Sequence, residues 1–476
     1  MTRVRSSSLA LLALALAAGA ILRFYRLGAF EMSADEGASW AAAAAPSLSA
    51  VLRAQVVLNP GKAGLHDVTL HLWMRAFGDG LAAMRALSAA AGMVAIALMF
   101  ALTREALAPA AADGSAVWFA PDDRDLAAAI AALLFAVNLV MVKYAREARM
   151  YPLEIAALMA TAYCLMRAMN RGGVANYAGA AIGAALALAA HLTALAALAA
   201  MGLWLVGVLI HGRRGWRSPD SAARRAFGNL VALAAGAALL APLAPAVMGS
   251  AAHAAAIGAI NWIHRPPWWA PFSLFNKATG TFAFPLYAAL AGWGAIWGWR
   301  RARERTLFAL AWMWAPPCAT LAASYLLRPL FVERYLVSGF APFFMLAALG
   351  MVAMRRRSAR AAALALAVAL ALGHLGAWSR KPHDAQWREA AAAARVRLGS
   401  GGAIVVAPGY AANVVRYYLR HCAGGVRVVP VARTAGVAAS IAIVGETGAS
   451  PAAIAALSAG YPRIVARARG VVVRER

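Results

Sequence analysis

The chain has 476 residues, of which 63% are hydrophobic and 14% are charged, and its mean hydropathy is +0.65. A water-soluble domain is apolar at nearer half of its positions, so this composition excludes that class and predicts an integral membrane protein. The net charge of +27 would favour nucleic acid in a soluble protein. Here the arginines stand in short clusters between apolar runs, as orientation signals do, and we expect no nucleic-acid partner. The three cysteines lack CxxC spacing, so they predict neither a disulfide framework nor a metal site.

The first apolar run, Leu9–Leu22, has the features of a signal peptide but continues directly into Arg23-Phe-Tyr-Arg26. This aromatic and basic edge is typical of an interfacial anchor, so we predict an uncleaved first span. Ten further runs are near the ~17 to 25 residues that cross a bilayer. They are Leu81–Leu102, Leu126–Val142, Pro152–Met169, Tyr177–Ala190, Thr193–Ile210, Phe227–Met248, Phe282–Trp299, Thr306–Leu326, Tyr335–Met354 and Ala361–Trp378. The sequence therefore predicts a membrane all-α fold with about eleven transmembrane helices.

Arginine clusters fall on one side of the membrane under this count, and the positive-inside rule makes that side the cytoplasm. The clusters are Arg3 and Arg5, Arg104, Arg167 and Arg171, Arg213–Arg225, Arg300–Arg305 and Arg355–Arg360. We therefore expect a multi-pass protein of the bacterial inner membrane with a cytoplasmic amino terminus and a periplasmic carboxyl end. The four lysines of the chain fall on the opposite side, which indicates a face that meets an anion unless they segregate there by chance. They are Lys62, Lys143, Lys277 and Lys381.

Two parts of the chain are predicted to lie outside the membrane on the periplasmic side. The loop at 30–80 is long enough for interfacial amphipathic helices such as Leu48–Val57. After Trp378 the apolar runs shorten, and the pattern favours a small α/β domain at 379–476, next to a transmembrane domain at 1–378. Its predicted helices are Asp384–Leu398 and Asn413–His421, and its predicted strands are Ala403–Ala407 and Ser440–Val444.

The first periplasmic loop begins with the adjacent acids Asp35 and Glu36. Two adjacent acids in an aqueous loop are often only solvated. An acid at the interface has a second use, because it can take a proton from an acceptor hydroxyl while a membrane-embedded substrate presents its reactive carbon. We therefore keep both as candidate catalytic residues.

Three cations, Lys143, Arg146 and Arg149, stand within seven residues on the side that the positive-inside rule disfavours. They snorkel to lipid headgroups in one interpretation. In the other they bind phosphate oxygens, for which arginine forks and lysine ammonium groups are the usual ligands. Glu147 is then an orienting partner, and the tyrosines of the same segment are supporting residues. These tyrosines are Tyr144 and Tyr151.

Several short motifs resemble the successive signatures of the C-superfamily (GT-C) glycosyltransferases, especially the protein O-mannosyltransferases and the lipid A aminoarabinose transferases. They are Ala34-Asp35-Glu36, His71-Leu-Trp-Met-Arg-Ala-Phe-Gly78, Arg85-Ala-Leu-Ser88, Tyr144-Ala-Arg-Glu-Ala-Arg-Met-Tyr151, Glu333-Arg-Tyr335 and Gln386-Trp-Arg-Glu389. The resemblance covers nearly the whole chain. It implies an integral membrane glycosyltransferase that moves a sugar from a polyprenyl-phosphate donor to a lipid, glycan or protein acceptor on the periplasmic face.

The resemblance also implies roles for particular residues. It makes Asp35 the general base, with Glu36 in support. Relatives carry a proline-rich segment where this chain has Lys62-Ala-Gly-Leu-His-Asp67, which keeps the cation and loses both prolines. This departure leaves the acceptor class open, and it leaves Asp67 as a rival base, with His66 beside it.

A polyprenyl-phosphate leaving group already carries negative charge, so its departure needs cations and no acid. The candidates are Lys62, Arg146, Arg149 and Arg334, with Glu333 and Tyr335 as supporting neighbours. One carboxylate then suffices as base, and attack from the opposite face inverts the anomeric centre. We find no HExxH motif and expect no required cofactor. A divalent ion at His66, Asp67, Asp35 and Glu36 stays an alternative.

Two other functions remain open from the sequence. A transporter or flippase of a lipid-linked sugar also has many spans, but it places charges within broken spans, whereas the acids here gather outside them. A family member that has lost catalysis and acts as a scaffold is the second alternative, favoured by the altered segment at 62–67.

Overall fold

A computed structural model describes residues 6–109, 119–212, 216, 218, 221–256, 262–381, 385–398, 402–422, 425–434 and 437–476. Arg3, Arg5, part of the 213–225 arginine cluster and Asp384 lie outside the described residues. The α-helices are α1 (Ser6–Phe24), α2 (Ala34–Ala43), α3 (Leu48–Leu58), α4 (Leu65–Phe77), α5 (Leu81–Ala106), α6 (Pro121–Val137), α7 (Leu139–Ala145), α8 (Tyr151–Arg171), α9 (Val174–Ala190), α10 (Ala194–Gly212), α11 (Ala222–Ala238), α12 (Ala244–Ala256), α13 (Ala270–Thr279), α14 (Phe284–Arg301), α15 (Arg303–Leu326), α16 (Phe340–Val352), α17 (Arg357–Ser379), α18 (Trp387–Leu398), α19 (Ala412–Leu419) and α20 (Pro451–Gly460). The strands are β1 (Ala403–Ala407), β2 (Arg427–Pro430), β3 (Ile441–Gly445), β4 (Arg463–Ala468) and β5 (Val471–Glu475).

The chain divides into two compact units. The first unit contains residues 1–25, 60–66 and 86–378, and the second contains residues 26–59, 67–85 and 379–476. The second unit therefore combines the carboxyl-terminal sheet with most of the loop at 30–80. Sequence composition places a boundary after Trp378, and one segment of the second unit also begins there.

In the described residues, six helical segments are long and apolar enough to cross a membrane. They are α1, α5, α10, α15, α17 and the segment Ala222–Ala252, which contains α11. The pair α6 and α7 makes a seventh, bent by 60°. The four remaining predicted runs also coincide with helices, namely α8, α9, α14 and α16. These four are shorter or less apolar, so the mostly helical membrane architecture is confirmed while the count of eleven spans stays a prediction.

The bend between α6 and α7 occurs at Asn138, inside a run that the sequence predicts as continuous. The Asn138 side chain accepts hydrogen bonds from the backbone of Val140 at 3.0 Å and of Met141 at 3.3 Å. Its amide donates to the Ala278 carbonyl at 2.9 Å. An asparagine that caps a new helix in this way competes with continuation of the old one. The bend precedes the cation-rich segment at 143–151.

The second unit contains a five-stranded sheet of order β2-β1-β3-β5-β4. β1 runs parallel to β2 and β3, and β5 runs antiparallel to β3 and β4. β1 and β3 are buried along their whole length, as expected for central strands of β-branched residues. The predicted strand Ala403–Ala407 matches β1, and Ser440–Val444 matches β3 to within one residue. β2, β4 and β5 are strands that the sequence patterns missed.

The same unit packs the helix α2 against α19. Gly37 of α2 is needed at this contact, because a Cβ atom there would lie 2.9 Å from a methyl group of Val414 and 3.1 Å from its backbone nitrogen. Trp40 makes an edge-on ring contact with Tyr417 at 5.4 Å. The hydroxyl of Tyr418 donates to Glu31 at 3.0 Å and accepts from the Met32 backbone at 3.0 Å. The carboxyl-terminal sheet domain thus supports the helix that begins with the acid pair.

Candidate active site

The acid pair lies in the first turn of α2, where Ser33 is the amino-terminal cap. The Ser33 hydroxyl accepts from the Glu36 backbone at 3.3 Å, and the Glu36 carboxylate accepts from the Ser33 backbone at 3.0 Å. This reciprocal pair is a capping box, and the spacing Ser-x-x-Glu was its sequence signal. The Glu36 carboxylate is therefore already bound to the backbone of Ser33 within the same helix end, before any tertiary contact is considered.

Glu36 also forms a buried ion pair with Arg85 of α5. The Arg85 guanidinium donates to both carboxylate oxygens of Glu36, at 2.7 and 2.9 Å. The same guanidinium donates to three backbone carbonyls of the segment before α2, at 2.7 to 3.1 Å. Both side chains are almost completely buried. Glu36 was predicted as a supporting catalytic carboxylate, and these contacts make it an anchor of α2.

Asp35 is the second residue of α2 and is partly exposed. The amino-terminal end of a helix carries partial positive charge, which stabilises an acidic side chain placed there. Asp67, the rival base, is completely buried in the first turn of α4 and accepts a hydrogen bond from the Asn59 amide at 3.2 Å. His66, its neighbour in sequence, is buried too. Of the two acids, Asp35 is the one that solvent reaches.

In the first unit, a row of aromatic rings links two of the predicted cations. Arg149 lies over the Tyr151 ring at 5.9 Å, Tyr151 contacts His191 at 6.2 Å, and His191 contacts Tyr335 at 4.9 Å. Arg334 then lies over Tyr335 at 5.6 Å. We call these five residues the ring row. The structure thus brings together predicted residues that are 185 positions apart in the chain, from Arg149 to Arg334.

His191 is the member of the ring row whose pKa is changed by the surrounding positive charges. It lies in the break between α9 and α10 and is buried. Burial, together with the positive charges of Lys62, Arg149 and Arg334, lowers the pKa of His191 to about 3. Three cations predicted to bind phosphate therefore act on one imidazole. In the sequence, His191 stands between the predicted spans Tyr177–Ala190 and Thr193–Ile210, and no motif marks it.

Arg146 has a different set of contacts. Its guanidinium donates to the carbonyls of Leu22 and Tyr25 at 2.9 Å and of Arg23 at 3.3 Å, all at the carboxyl end of α1. Cations are favourable at this end of a helix. Its role in phosphate binding stays a prediction, while the described contacts make it a cap for the first span.

The backbone of Arg149 is fixed by Ser88, the last residue of the Arg85-Ala-Leu-Ser88 motif. The Ser88 hydroxyl donates to the Arg149 carbonyl at 2.8 Å and accepts from the Arg149 amide at 3.2 Å. The Arg149 amide also donates to the carbonyl of Glu147 at 2.7 Å, in a tight turn. Both the motif serine and Glu147 therefore shape the turn that presents Arg149.

The remaining predicted residues lie at the edges of this region. Tyr144 contacts Tyr151 at 5.0 Å, and Lys143 lies over the Tyr144 ring at 5.2 Å. Glu333 forms an ion pair with Lys277, and both side chains are well exposed. The part of the chain that the structure describes has no group of three or more His, Cys, Asp or Glu side chains placed to hold a metal ion.

Comparison with solved structures shows that the chain has the fold of the GT-C glycosyltransferases. ArnT from Cupriavidus metallidurans, bound to undecaprenyl phosphate, matches with a TM-score of 0.62 at 14% identity, over 98% of this chain and 97% of that one. Its apo state matches with a TM-score of 0.61 at 15% identity over the same shares. An oligosaccharyltransferase from Archaeoglobus fulgidus with a tethered acceptor peptide matches with a TM-score of 0.55 at 14% identity, over 90% of this chain and 64% of that one.

No family model matches the sequence, and no curated protein matches it. At these identities the structural match defines the fold. The predicted resemblance to GT-C glycosyltransferases is confirmed at that level, and the chemistry of this chain must be argued from its own residues.

Proposed function

We propose that the protein is an integral membrane glycosyltransferase that transfers a sugar from a polyprenyl-phosphate donor to a lipid, glycan or protein acceptor on the periplasmic face. The observation that carries the proposal is the ring row, which brings Arg149 and Arg334 to the two tyrosines that contact His191, within a fold shared with a protein solved in complex with undecaprenyl phosphate. Two arginines held close to one buried histidine suit a substrate with concentrated negative charge, and Lys62 adds a third positive charge that acts on the same histidine.

The chemistry assigned to these residues is a single displacement. An acceptor hydroxyl attacks the anomeric carbon, its proton passes to Asp35, and the bond from the anomeric carbon to the phosphate oxygen breaks. The bonding electrons leave with the polyprenyl phosphate, whose charge the cations stabilise. Since the leaving group needs no proton, one base suffices, and the anomeric configuration inverts. We propose that no metal ion is required, because the cations meet the charge of the phosphate.

The test uses the full chain in sealed proteoliposomes with a panel of radiolabelled undecaprenyl-phosphate sugars and a bacterial membrane extract as acceptor source. We expect label to move from one of the donors to an acceptor, with the opposite anomeric configuration, and to do so in the presence of a chelator. Label that crosses the vesicle membrane while still attached to phosphate identifies a flippase instead. Binding of donors without transfer or transport identifies the scaffold alternative.

A further inference from the structure

Exposed arginines gather where several helices of the first unit begin or end. α14 ends at Arg301, α15 begins at Arg303, and α17 begins at Arg357 shortly after the end of α16. We call the exposed arginines at these ends the arginine rim, which consists of Arg300, Arg301, Arg303, Arg355, Arg356 and Arg357. The sequence patterns use these residues only as orientation signals, and the proposed sugar transfer does not involve them.

Close packing brings the two parts of the arginine rim to the same end of the helices. Gly298 lies one turn before the end of α14, and a Cβ atom there would lie 2.6 Å from the hydroxyl of Thr306 and 3.1 Å from a methyl group of Leu349. Thr306 is in the first turn of α15, and Leu349 is in the last turn of α16. The helix ends that carry the arginines are therefore neighbours, although the two clusters are distant in the sequence.

The positive charge of the arginine rim is not balanced by acids of the described chain. Five of its members have no ion-pair partner among the residues that the structure describes, namely Arg300, Arg303, Arg355, Arg356 and Arg357. Like charges held near one another repel, and an anion bound between them relieves this repulsion. The rim therefore favours an anionic partner.

Two arginines of the rim lie against tryptophan rings. Arg301 lies over the Trp297 ring at 4.8 Å, and Arg303 lies over the Trp299 ring at 4.7 Å. A guanidinium group on an aromatic face stays charged and keeps N–H donors along its edge. Tryptophan is enriched in membrane proteins at the level of the lipid headgroups. We therefore expect these pairs to hold guanidinium groups at the depth where lipid phosphates lie.

Apolar side chains lead up to the rim along one face of α14. Trp293, Ile296 and Arg300 have the spacing i, i+3 and i+7, so they share a helix face, and all three are exposed. An apolar stripe that ends in an arginine matches a molecule with apolar chains and an anionic head.

We propose that the arginine rim binds anionic phospholipids of the surrounding membrane, with the lipid phosphate on the arginines and the acyl chains along Trp293 and Ile296. The partner is chosen by complementarity, because a soluble phosphate matches the arginines and leaves the apolar stripe uncovered. A zwitterionic phospholipid covers the stripe but brings a cation of its own to the rim. This inference does not depend on the proposed function.

The measurement is lipid binding to the purified full chain in detergent, followed by native mass spectrometry. The ligands are phosphatidylglycerol, zwitterionic phosphatidylethanolamine, and glycerol phosphate as a headgroup without acyl chains. An orientation signal acts during membrane insertion, so a rim with that role alone gives equal affinity for the two lipids. We expect tighter binding of phosphatidylglycerol, with no competition from glycerol phosphate at the same concentration. Equal affinities, or full competition by glycerol phosphate, overturn the inference.

Substitutions in both parts of the rim locate the site. We expect the double variant Arg303→Gln with Arg356→Gln to weaken phosphatidylglycerol binding about ten- to thirtyfold, from the usual contribution of a cation at an anionic membrane surface. Arg303→Lys with Arg356→Lys keeps both charges and is expected to keep most of the affinity. The control is Arg395→Gln with Arg397→Gln, which removes two exposed arginines of α18 in the second unit and is expected to change nothing. Gln variants of the rim that bind like this control, or Lys variants that lose as much as the Gln variants, contradict the proposal.

Discussion

Glu36 and Arg85 form a buried ion pair in which the two charges neutralise each other. The ring row differs, because it places two arginines close to His191, whose pKa is also lowered by the positive charge of Lys62. In the first region every described contact of the two side chains holds backbone or partner in place. In the second, Arg149 and Arg334 lie over the rings of the two tyrosines that contact His191. The buried ion pair holds α2 in place, whereas several positive charges close to one buried histidine suit a ligand of the opposite sign.

The largest effect is expected from Asp35→Asn, which removes the proposed base beside the Glu36 anchor. We expect turnover to fall by ~10²- to 10⁴-fold, the usual share of general-base catalysis, with donor binding preserved. Asp67→Asn is the matched comparison, since Asp67 is the buried rival. If Asp67→Asn abolishes turnover and Asp35→Asn spares it, the base is Asp67. Both variants are assayed in one membrane preparation and checked for monodispersity.

Arg85→Met tests the anchor half of the comparison. It leaves the buried Glu36 carboxylate without its cation, which typically costs about 3–5 kcal/mol. We expect a large fall in the thermal unfolding temperature in detergent. The double variant Arg85→Met with Glu36→Met removes both charges and is expected to recover much of the loss. A single variant as stable as the original chain shows that the ion pair does not anchor α2.

Arg149→Ala tests the ligand half. The loss of a charge-assisted contact worth roughly 1.5–3 kcal/mol predicts about ten- to hundredfold weaker donor use, with little change in unfolding temperature. Lys277→Ala is the control, because its ion pair with Glu333 is exposed and such pairs contribute about 0–1 kcal/mol. Equal donor use in Arg149→Ala and Lys277→Ala contradicts phosphate binding at the ring row.

The smallest effect is the pH dependence of stability that His191 adds. Its folded pKa of about 3 lies below the ordinary value of 6.5. The unfolded chain therefore takes up a proton that the folded chain does not, and stability from this group falls as the pH falls from 6.5 toward 3. The groups acting on the ring are Lys62, Arg149, Arg334 and, through Thr193, Glu154. We expect the original chain to lose more unfolding temperature between pH 7.5 and 5 than His191→Gln, and equal losses contradict the shift.

Local patterns in the sequence determined the membrane class, the helices that coincide with the eleven apolar runs, and the central strands β1 and β3. These features depend on the pattern of hydrophobicity over a few neighbouring residues, and that pattern can be read directly from the sequence. The acid Asp35 and the cations Lys62, Arg149 and Arg334 were also identified there, because charges are conspicuous in an apolar chain.

Tertiary structure alone decided which of these charges serve the fold. Glu36 contacts Arg85, which is 49 positions away in the chain, and Arg146 contacts Leu22, which is 124 positions away. Neither local sequence pattern identifies these partners. The place of His191 in the ring row was invisible for the same reason, since the rings around this lone histidine come from distant segments of the chain. The physical cause is that burial raises the energetic weight of every charge, and burial is settled by packing between distant segments.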